Sequence, residues 1–579
     1  MVLSVDGTLT HRRNVTRATI EELFAAPFVG AGVVTELAVL SRHAGTVTPA
    51  FRALARGDVY DVLSRQKYLD IAAGRKRPKV SLEIVAPLHA QRKLSEAGDV
   101  WRLRYGELFD VPLSRWPSAA LDYASEDSRI LRPIFDSQEA AGPEGVFVDQ
   151  HRRACGHWAL HLSSLFGMPV DQTAVDAFAR GLEELWVAKR EQMVAAGFMR
   201  PDGTRNKIAA LEHAVRVGVT ARAKSGKSLS LSKQTCLDSG NAELTAWAEF
   251  EHLWKLKTTF VKMLRSRARL RPRYNELLIT GRTSASKPNI QQLPRAPGIR
   301  ECCVADPGHC LISVDVDKAE LCALGDIELE FLGKSKLADA INAGVDPHCL
   351  LGAELVQLSL AEFMRRYQAG DAEASDARQD VKPANFGLPV RMSPETYVTY
   401  ARGQGRELSL KRSRQVVAAW KRAYPTTLGY QALVQKLLRR AGGNVRHPRS
   451  GLLRGRLRFT QAANGFYQER IASAMLEALW VLACLQWGQE AEGFDAEHFA
   501  PLNGTRTLAY IHDEVIVQCP IDQASAVASL VQEVVERVVQ KWIPRVRITA
   551  GAVAMLRWSK KAKATFDANG RLIPWVPKQ

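Results

Sequence analysis

The chain has 579 residues, 46% of them hydrophobic, with 79 Lys and Arg against 61 Asp and Glu. This composition excludes a disordered chain and leaves room for about two to four domains. The net charge of +18 points to a polyanionic partner, most simply nucleic acid, and fits an enzyme acting on it or a structural binder equally well.

Nine cysteines are scattered without a C-x-x-C pair, which argues against a disulfide framework or a structural zinc site. The adjacent Cys302 and Cys303 read as half-buried thiols, and a reducing cytosol is the simple expectation. No run approaches the roughly 20 apolar residues of a membrane span. The opening stretch MVLSVDGTLTHRRNV lacks the layout of a signal peptide. The chain is therefore expected in the cytoplasm, with no membrane partner.

Residues 1–140 mix short apolar runs such as SLEIVAPL and GVVTELAVL with amphipathic segments, the pattern of a small α/β domain, and Ala140 to Gly145 reads as a boundary. From 150 to about 270 the spacing is helical: Phe178, Leu182, Leu185 and Trp186, then Trp247, Phe250 and Trp254, recur as core stripes. Lys262 to Arg273 is a basic run, either a solvated face or a phosphate-tracking surface. CLISVDVDKAELCA (310–323) begins as a buried strand and becomes helical, and helices continue to about 440. Lys436 to Arg458 is a second basic region, read as loops or a hairpin. Helical pieces follow from Gln461 to Gln489, then the hairpin LAYIHDEVIVQ (508–518), an amphipathic helix near Ala524 to Val539, and a last strand near Arg547 to Ala554.

The hairpin poses a chemical problem. Asp513 and Glu514 stand where two apolar strands should meet, and buried carboxylates without a partner are costly. A hard divalent cation would make them favourable. Asp315, at the end of the strand LISV, is the candidate to face Asp513 across one sheet. Two such carboxylates can hold two Mg²⁺ ions about 3.5–4 Å apart, an arrangement suited to in-line phosphoryl displacement. Arg378, Lys382 and Phe386 recur every four residues, which on a helix places them along one face with a drift of about 40° per step. Two cations and an aromatic suit a triphosphate and its attached sugar or base.

Together these segments resemble family A DNA polymerases. VDVDKAEL (314–321) is similar to the first palm motif, RQDVKPANFG (378–387) to the fingers-helix motif and IHDEV (511–515) to the second palm motif. TGRTSASKPNIQQLP (280–294), KLKTTF (255–260), Asp346-Pro-His348 and the Asn464/Gln468 pair also match family segments in order. The resemblance covers about 150–579. It implies a mixed α/β (α+β) right-hand fold: thumb and connecting helices over 141–280, palm over 281–330, fingers over 331–430 and palm again over 431–579.

The implied activity is template-directed addition of deoxynucleotides to a primer 3′ end, by a monomer whose partners are primer-template DNA and deoxynucleoside triphosphates. The resemblance assigns catalysis to Asp315, Asp513 and Glu514. It assigns two Mg²⁺ to Asp315, Asp513 and the Val316 carbonyl. Incoming-nucleotide contacts fall to Glu320 (which would exclude a 2′ hydroxyl), His348, Arg378, Lys382 and Phe386. Primer or template contacts fall to Arg282, Asn289, Gln291, Asn464, Gln468 and His512. Val390 and Arg391 replace the family's Tyr and Gly after the fingers Phe, while Pro383 and Pro389 should break or bend that helix. Rival readings are a single-subunit RNA polymerase, opposed by Glu320, and an inactive DNA-binding protein, opposed by the Asp pair.

Residues 1–140 resemble a ribonuclease H-like 3′–5′ exonuclease domain only in fragments. Tyr123 to Asp127 matches Y-x-x-x-D; FVGAGVVTEL (28–37) carries Gly32 and Glu36 where the family has Asn and Asp; the first D-x-E has no counterpart. A truncated or degenerate domain without proofreading is expected, with an upstream segment encoded separately as the alternative. The reduced set of domains fits a phage-type enzyme in a bacterial or phage-infected host cytoplasm.

Overall fold

A computed structural model describes the chain except residues 1, 6, 7, 12–15, 93, 95–100, 102, 103, 109, 110, 201, 222–228, 578 and 579, and without the side chains at 2–5, 8–11, 105, 124 and 127. Its centre is a four-stranded antiparallel sheet built from β1 (His309–Val316), β2 (Arg506–Ile511), β3 (Glu514–Pro520) and β4 (Ala550–Met555), in the order β2-β3-β1-β4. Helices α1 (Gln150–Phe166), α4 (Phe459–Gln486) and α5 (Ala524–Trp542) pack on it; α2 (Ala319–Leu332) packs on α4, and α3 (Ala372–Val381) lies among the helices between 347 and 390.

The strands form because their side chains alternate between two apolar clusters. Cys310, Ile312, Val314 and Val316 of β1 join Val515 and Val517 of β3 and Val527, Val531 and Val535 of α5 in one core. Leu311 and Ile516, on the opposite face, join Leu508, Met555 and Trp558 in a second. Toward the end of β1 that second face turns polar, through Ser313 to Asp315. Register pairs Ser313 with Ile516 and Asp315 with Glu514. The carboxylates thus occupy the solvent-facing end of a face whose other end is core.

Helix α4 is apolar on nearly every side, as befits a helix surrounded by protein. Its run of Ala and Leu favours helix, and it packs against α1, α2 and α5. Helix α5 is amphipathic and turns Val527, Val531, Val534 and Val538 inward.

The N-terminal third contains a hairpin of Val2–Val5 with Thr8–His11, a parallel pair of Phe28–Gly30 with Val59–Asp61, and helices between them. Part of it has a small core of its own, where Val62, Val85, Ala86, Ile130 and Ile134 are buried together; another part joins the central core. Leu37, Phe51 and Leu54 share one cluster with Trp158 and Leu160 of α1, and the Phe51 ring stacks on Trp480 of α4 at 5.3 Å. Truncating such an aromatic costs about 3–5 kcal/mol.

Several expectations need correction. Cys302 and Cys303 are fully buried, at 1% and 0% exposure, because the segment after the short helix Arg300–Cys302 lies under β1 and Trp558. Leu185 is exposed while Leu182 is core, since the helix Gln172–Ala195 is covered along one narrow stripe only. The second basic region starts as helix, through Arg440 of Pro425–Arg440, before a hairpin of Val445–Arg446 with Leu453–Arg454. The last sheet strand begins at Ala550 rather than Arg547. Among the described residues no helix is long and apolar enough to cross a membrane.

Candidate active site

Asp315 and Asp513 meet because of two turns. The turn between β2 and β3 is His512-Asp513, with His512 at φ 62°. The Val316 N–H donates to the Asp513 carbonyl at 3.3 Å, pinning the hairpin tip to the end of β1. After β1 the chain reverses through Lys318, also left-handed at φ 52°, to start α2. Left-handed backbone is unfavourable for side chains of this size. Two such residues stand beside the carboxylates, the kind of backbone strain that clusters at functional sites.

The electrostatics follow from this crowding. Burial, and then the charge of Asp315, push the Asp513 carboxyl up to about 7. Burial also raises Asp315, opposed by Lys560 and reinforced by Glu514. Glu514 is buried at 3% exposure. One of its oxygens accepts from the Ser313 hydroxyl at 2.6 Å, and the other lies 2.7 Å from Lys560 Nζ. Lys560 Nζ also stands 3.4 Å from Asp315 Oδ2. Sequence reasoning missed Lys560, which lies in a run of lysines after the last sheet strand; the turn at Trp558 brings it back over β1.

Among the described residues no group of three or more His, Cys, Asp and Glu has the geometry to hold a metal. The candidate ligands are two carboxylates. That number fits Mg²⁺, which keeps several waters and takes one or two carboxylates together with substrate phosphates. The donors are all oxygen, and burial, with neighbouring carboxylates adding to it, raises the affinity of both acids for protons.

A second cluster surrounds Glu320, in the first turn of α2. Arg282 forms an ion pair with its carboxylate, and Gln468 Nε2 of α4 lies 3.4 Å from the same oxygen. Asn464 sits one turn earlier on α4, half-buried. Gln291 is buried, 3.5 Å from both the Thr283 hydroxyl and the Tyr510 carbonyl. Asn289 has a buried Oδ1 with no partner among the described residues. His512 is exposed at the hairpin tip.

The third cluster is on the helices between 347 and 390. Helix α3 ends at Val381; the backbone stays right-handed through Lys382 and Pro383, then forms the short helix Ala384–Gly387. Proline supplies no N–H for the helix ladder. Arg378 is held by Asp346 at 2.6 Å. His348 is buried, with Nδ1 3.0 Å from Asn385 Nδ2, and burial lowers it to about 4, so it is neutral at pH 7. Of the five expected nucleotide contacts, Lys382 and Phe386 are exposed, Glu320 is tied to Arg282, and Arg378 and His348 are engaged within the protein.

Both the sequence and the fold are similar to those of known proteins. Residues 209–465 match the model of DNA polymerase family A. The matched segment carries Asp315, Glu320 and the 378–387 stretch and stops short of Asp513. The chain is 24% identical over 294 residues to DNA polymerase I of Aquifex aeolicus and 26% identical over 323 residues to the thermostable DNA polymerase I of Thermus aquaticus. These matches take in 50% and 51% of this chain and 46% and 34% of those proteins, so the chain spans less than half the length of either relative. The solved POL domain of Pol1 from M. smegmatis, in complex with DNA primer-template and dNTP, superposes with a TM-score of 0.64 at 17% identity, covering 96% of this chain and 92% of that one. The likeness therefore extends the polymerase fold over the N-terminal third and the sheet that bears Asp513.

Proposed function

We propose that the chain is a template-directed DNA polymerase that extends a primer 3′ end with deoxynucleotides. The carrying observation is the register of Asp315 against Glu514 with Asp513 at the adjoining turn, three carboxyl groups converging at the open end of one sheet. In the reaction the primer 3′ oxygen bonds to the α-phosphorus of a deoxynucleoside triphosphate, and the bond to pyrophosphate breaks.

Asp315 and Asp513, with the Val316 carbonyl, would hold Mg²⁺, which when bound stabilises charge on the reacting phosphate oxygens. Lys382 offers a mobile cation to the triphosphate. Arg378 becomes available to it when Asp346 releases its grip. Glu320, immobilised by Arg282 and Gln468, occupies the space a ribose 2′ hydroxyl would need. Arg282, Asn289, Gln291, Asn464, Gln468 and His512 line the approach of primer and template. A monomer completes this site, since every residue invoked is on one chain.

We infer that the N-terminal third does not proofread. Asp61 Oδ1 accepts the N–H groups of Gly32, Leu63 and Ser64, and Oδ2 that of Val33; the carboxylate is spent on capping two helices. Glu36, standing for the family's Asp, accepts from the Ala31 N–H. The side chain of Asp127 lies outside the described residues.

The test is extension of a labelled primer-template with Mg²⁺. Asp315→Asn and Asp513→Asn should each lower extension by about a thousandfold or more while retaining duplex binding. Extension within tenfold of the parent by either variant would refute the assignment. A mismatched 3′ end should remain uncleaved by the parent.

A further inference from the structure

Residues 436–458 contain eight Lys or Arg and no Asp or Glu. A second basic segment, Arg75 to Lys79, lies far away in sequence in the N-terminal third. The fold presses the two together. The Gly455 N–H donates to the Ile71 carbonyl at 2.9 Å. A Cβ on Gly455 would lie 2.0 Å from the Ala72 carbonyl oxygen, and one on Gly74 2.7 Å from the Gly455 carbonyl oxygen. Backbone meets backbone at this seam, and only glycine permits the approach.

The seam leaves Arg75, Lys76 and Lys79 exposed on one bank and Arg456 and Arg458 on the other. The loop is held in place: Arg75 and Arg77 both pair with the buried carboxylate of Asp70, at 3.0 and 2.7 Å. Lys76, Lys79, Arg456 and Arg458 make no ion pair among the described residues. Crowding cations of one sign destabilises a free protein. Their juxtaposition at a tight backbone seam is what a polyanion would repay. Arg458 also immediately precedes α4, the helix of Asn464 and Gln468, so the basic face continues from the elements proposed to hold primer and template.

We propose that loop 75–79 and loop 455–458 form one composite phosphate-binding face, through which the N-terminal third grips the nucleic-acid backbone next to the palm. This rests on the polymerase reading and deepens it: a region without proofreading machinery becomes part of the DNA-binding surface. The ligand is the phosphodiester backbone, supplied by the duplex or by the single-stranded template.

The experiment measures binding of the full chain to fluorescent primer-template between 50 and 200 mM salt. The slope of log affinity against log salt counts phosphate contacts, at about 0.7–0.9 per contact. Lys76→Ala/Lys79→Ala and Arg456→Ala/Arg458→Ala should each reduce the slope by about 1–2. Arg17→Ala/Arg132→Ala, at exposed arginines already paired with acids, should leave it unchanged. Extension at 50 mM salt should persist in all three, showing that they fold. A blunt duplex and a duplex with a long template overhang are compared: loss on both assigns the face to duplex, loss on the overhang alone to template. An unchanged slope in both loop variants, with the parent still binding and extending, overturns this proposal alone. A parent that neither binds nor extends overturns the polymerase reading with it.

Discussion

Lys560 and Glu514 are joined by a 2.7 Å ion pair at the mouth of the acidic sheet end. The lysine is 31% exposed along its side chain and the glutamate 4%, so the pair spans the boundary between core and solvent. Without Lys560, Glu514 would keep the Ser313 hydroxyl as its only hydrogen-bond partner among the described residues. Lys560→Ala should therefore destabilise the protein in chelator by about 1–2 kcal/mol, less than for a fully buried pair because solvent screens the lysine. It should also remove a cation that competes with Mg²⁺ for Asp315. A thermal melt with and without Mg²⁺ checks both: the variant should melt lower in chelator and gain more than the parent when Mg²⁺ is added. Equal gains would show that Lys560 does not compete.

Glu320→Ala should relax sugar selection. Arg282 and Gln468 fix the glutamate from two different elements, so the side chain is a rigid obstacle rather than a mobile one. Selectivity for deoxy- over ribonucleotide should fall by about ten- to a hundredfold, with deoxynucleotide incorporation less affected. Single-nucleotide incorporation with the two substrates measures the ratio. A ratio equal to the parent's would remove Glu320 from nucleotide selection.

Much of the site is legible in the sequence because its chemistry breaks a simple pattern. Strands β1 and β3 are nearly continuous apolar runs, and Asp315 and Glu514 at their ends, with Asp513 in the adjoining turn, interrupt them where a carboxylate needs a reason. The helix break after Val381 is likewise written in Pro383. Lys560 is not legible: it is one lysine in a basic run, and only the return of the chain over β1 gives it a partner. The same holds for Asp346, whose hold on Arg378 depends on two helices meeting, and for the N-terminal third. Residues 1–140 read as a small domain of their own, yet Phe51 packs on Trp158 and Trp480, more than a hundred residues away.

Glu276 ties that N-terminal third to the site's supporting loop and makes stability depend on pH. Burial opposes its ionisation, but the Lys67 ammonium, His157 and hydrogen bonds from Lys67 and Ser64 outweigh it and hold the carboxyl well below its ordinary range. The folded value is thus depressed. The contribution is present above the unfolded value near 4.5 and is lost as pH falls further toward the folded one. Glu276→Gln should be less stable at pH 7 by about 2–4 kcal/mol and should lose less on acidification from pH 5 to 3 than the parent. Melting temperature against pH for the two proteins tests the sign; parallel acid limbs would refute it.

Arg153 is the hub behind the Glu320 cluster. It is buried at 1% exposure, and its guanidinium donates to Asp149, to the carbonyls of Glu276 and Gly281, to Glu469 and to Ser473. Gly281 precedes Arg282 and Glu469 follows Gln468, so Arg153 places both partners of Glu320. Gly281 itself is left-handed at φ 81°, and a Cβ there would lie 2.4 Å from Glu469 Cγ. Gly281→Ala therefore combines backbone strain of about 1–2 kcal/mol with a shift of Glu469. The expected outcome is a folded protein with reduced deoxy-over-ribo selectivity and a raised KM for nucleotide, at a kcat within about tenfold of the parent. Single-turnover incorporation at varied nucleotide concentration separates the two. A uniform loss of active protein, with KM and selectivity unchanged in the fraction that remains, would mean that the hub supports the fold without placing Arg282 and Gln468.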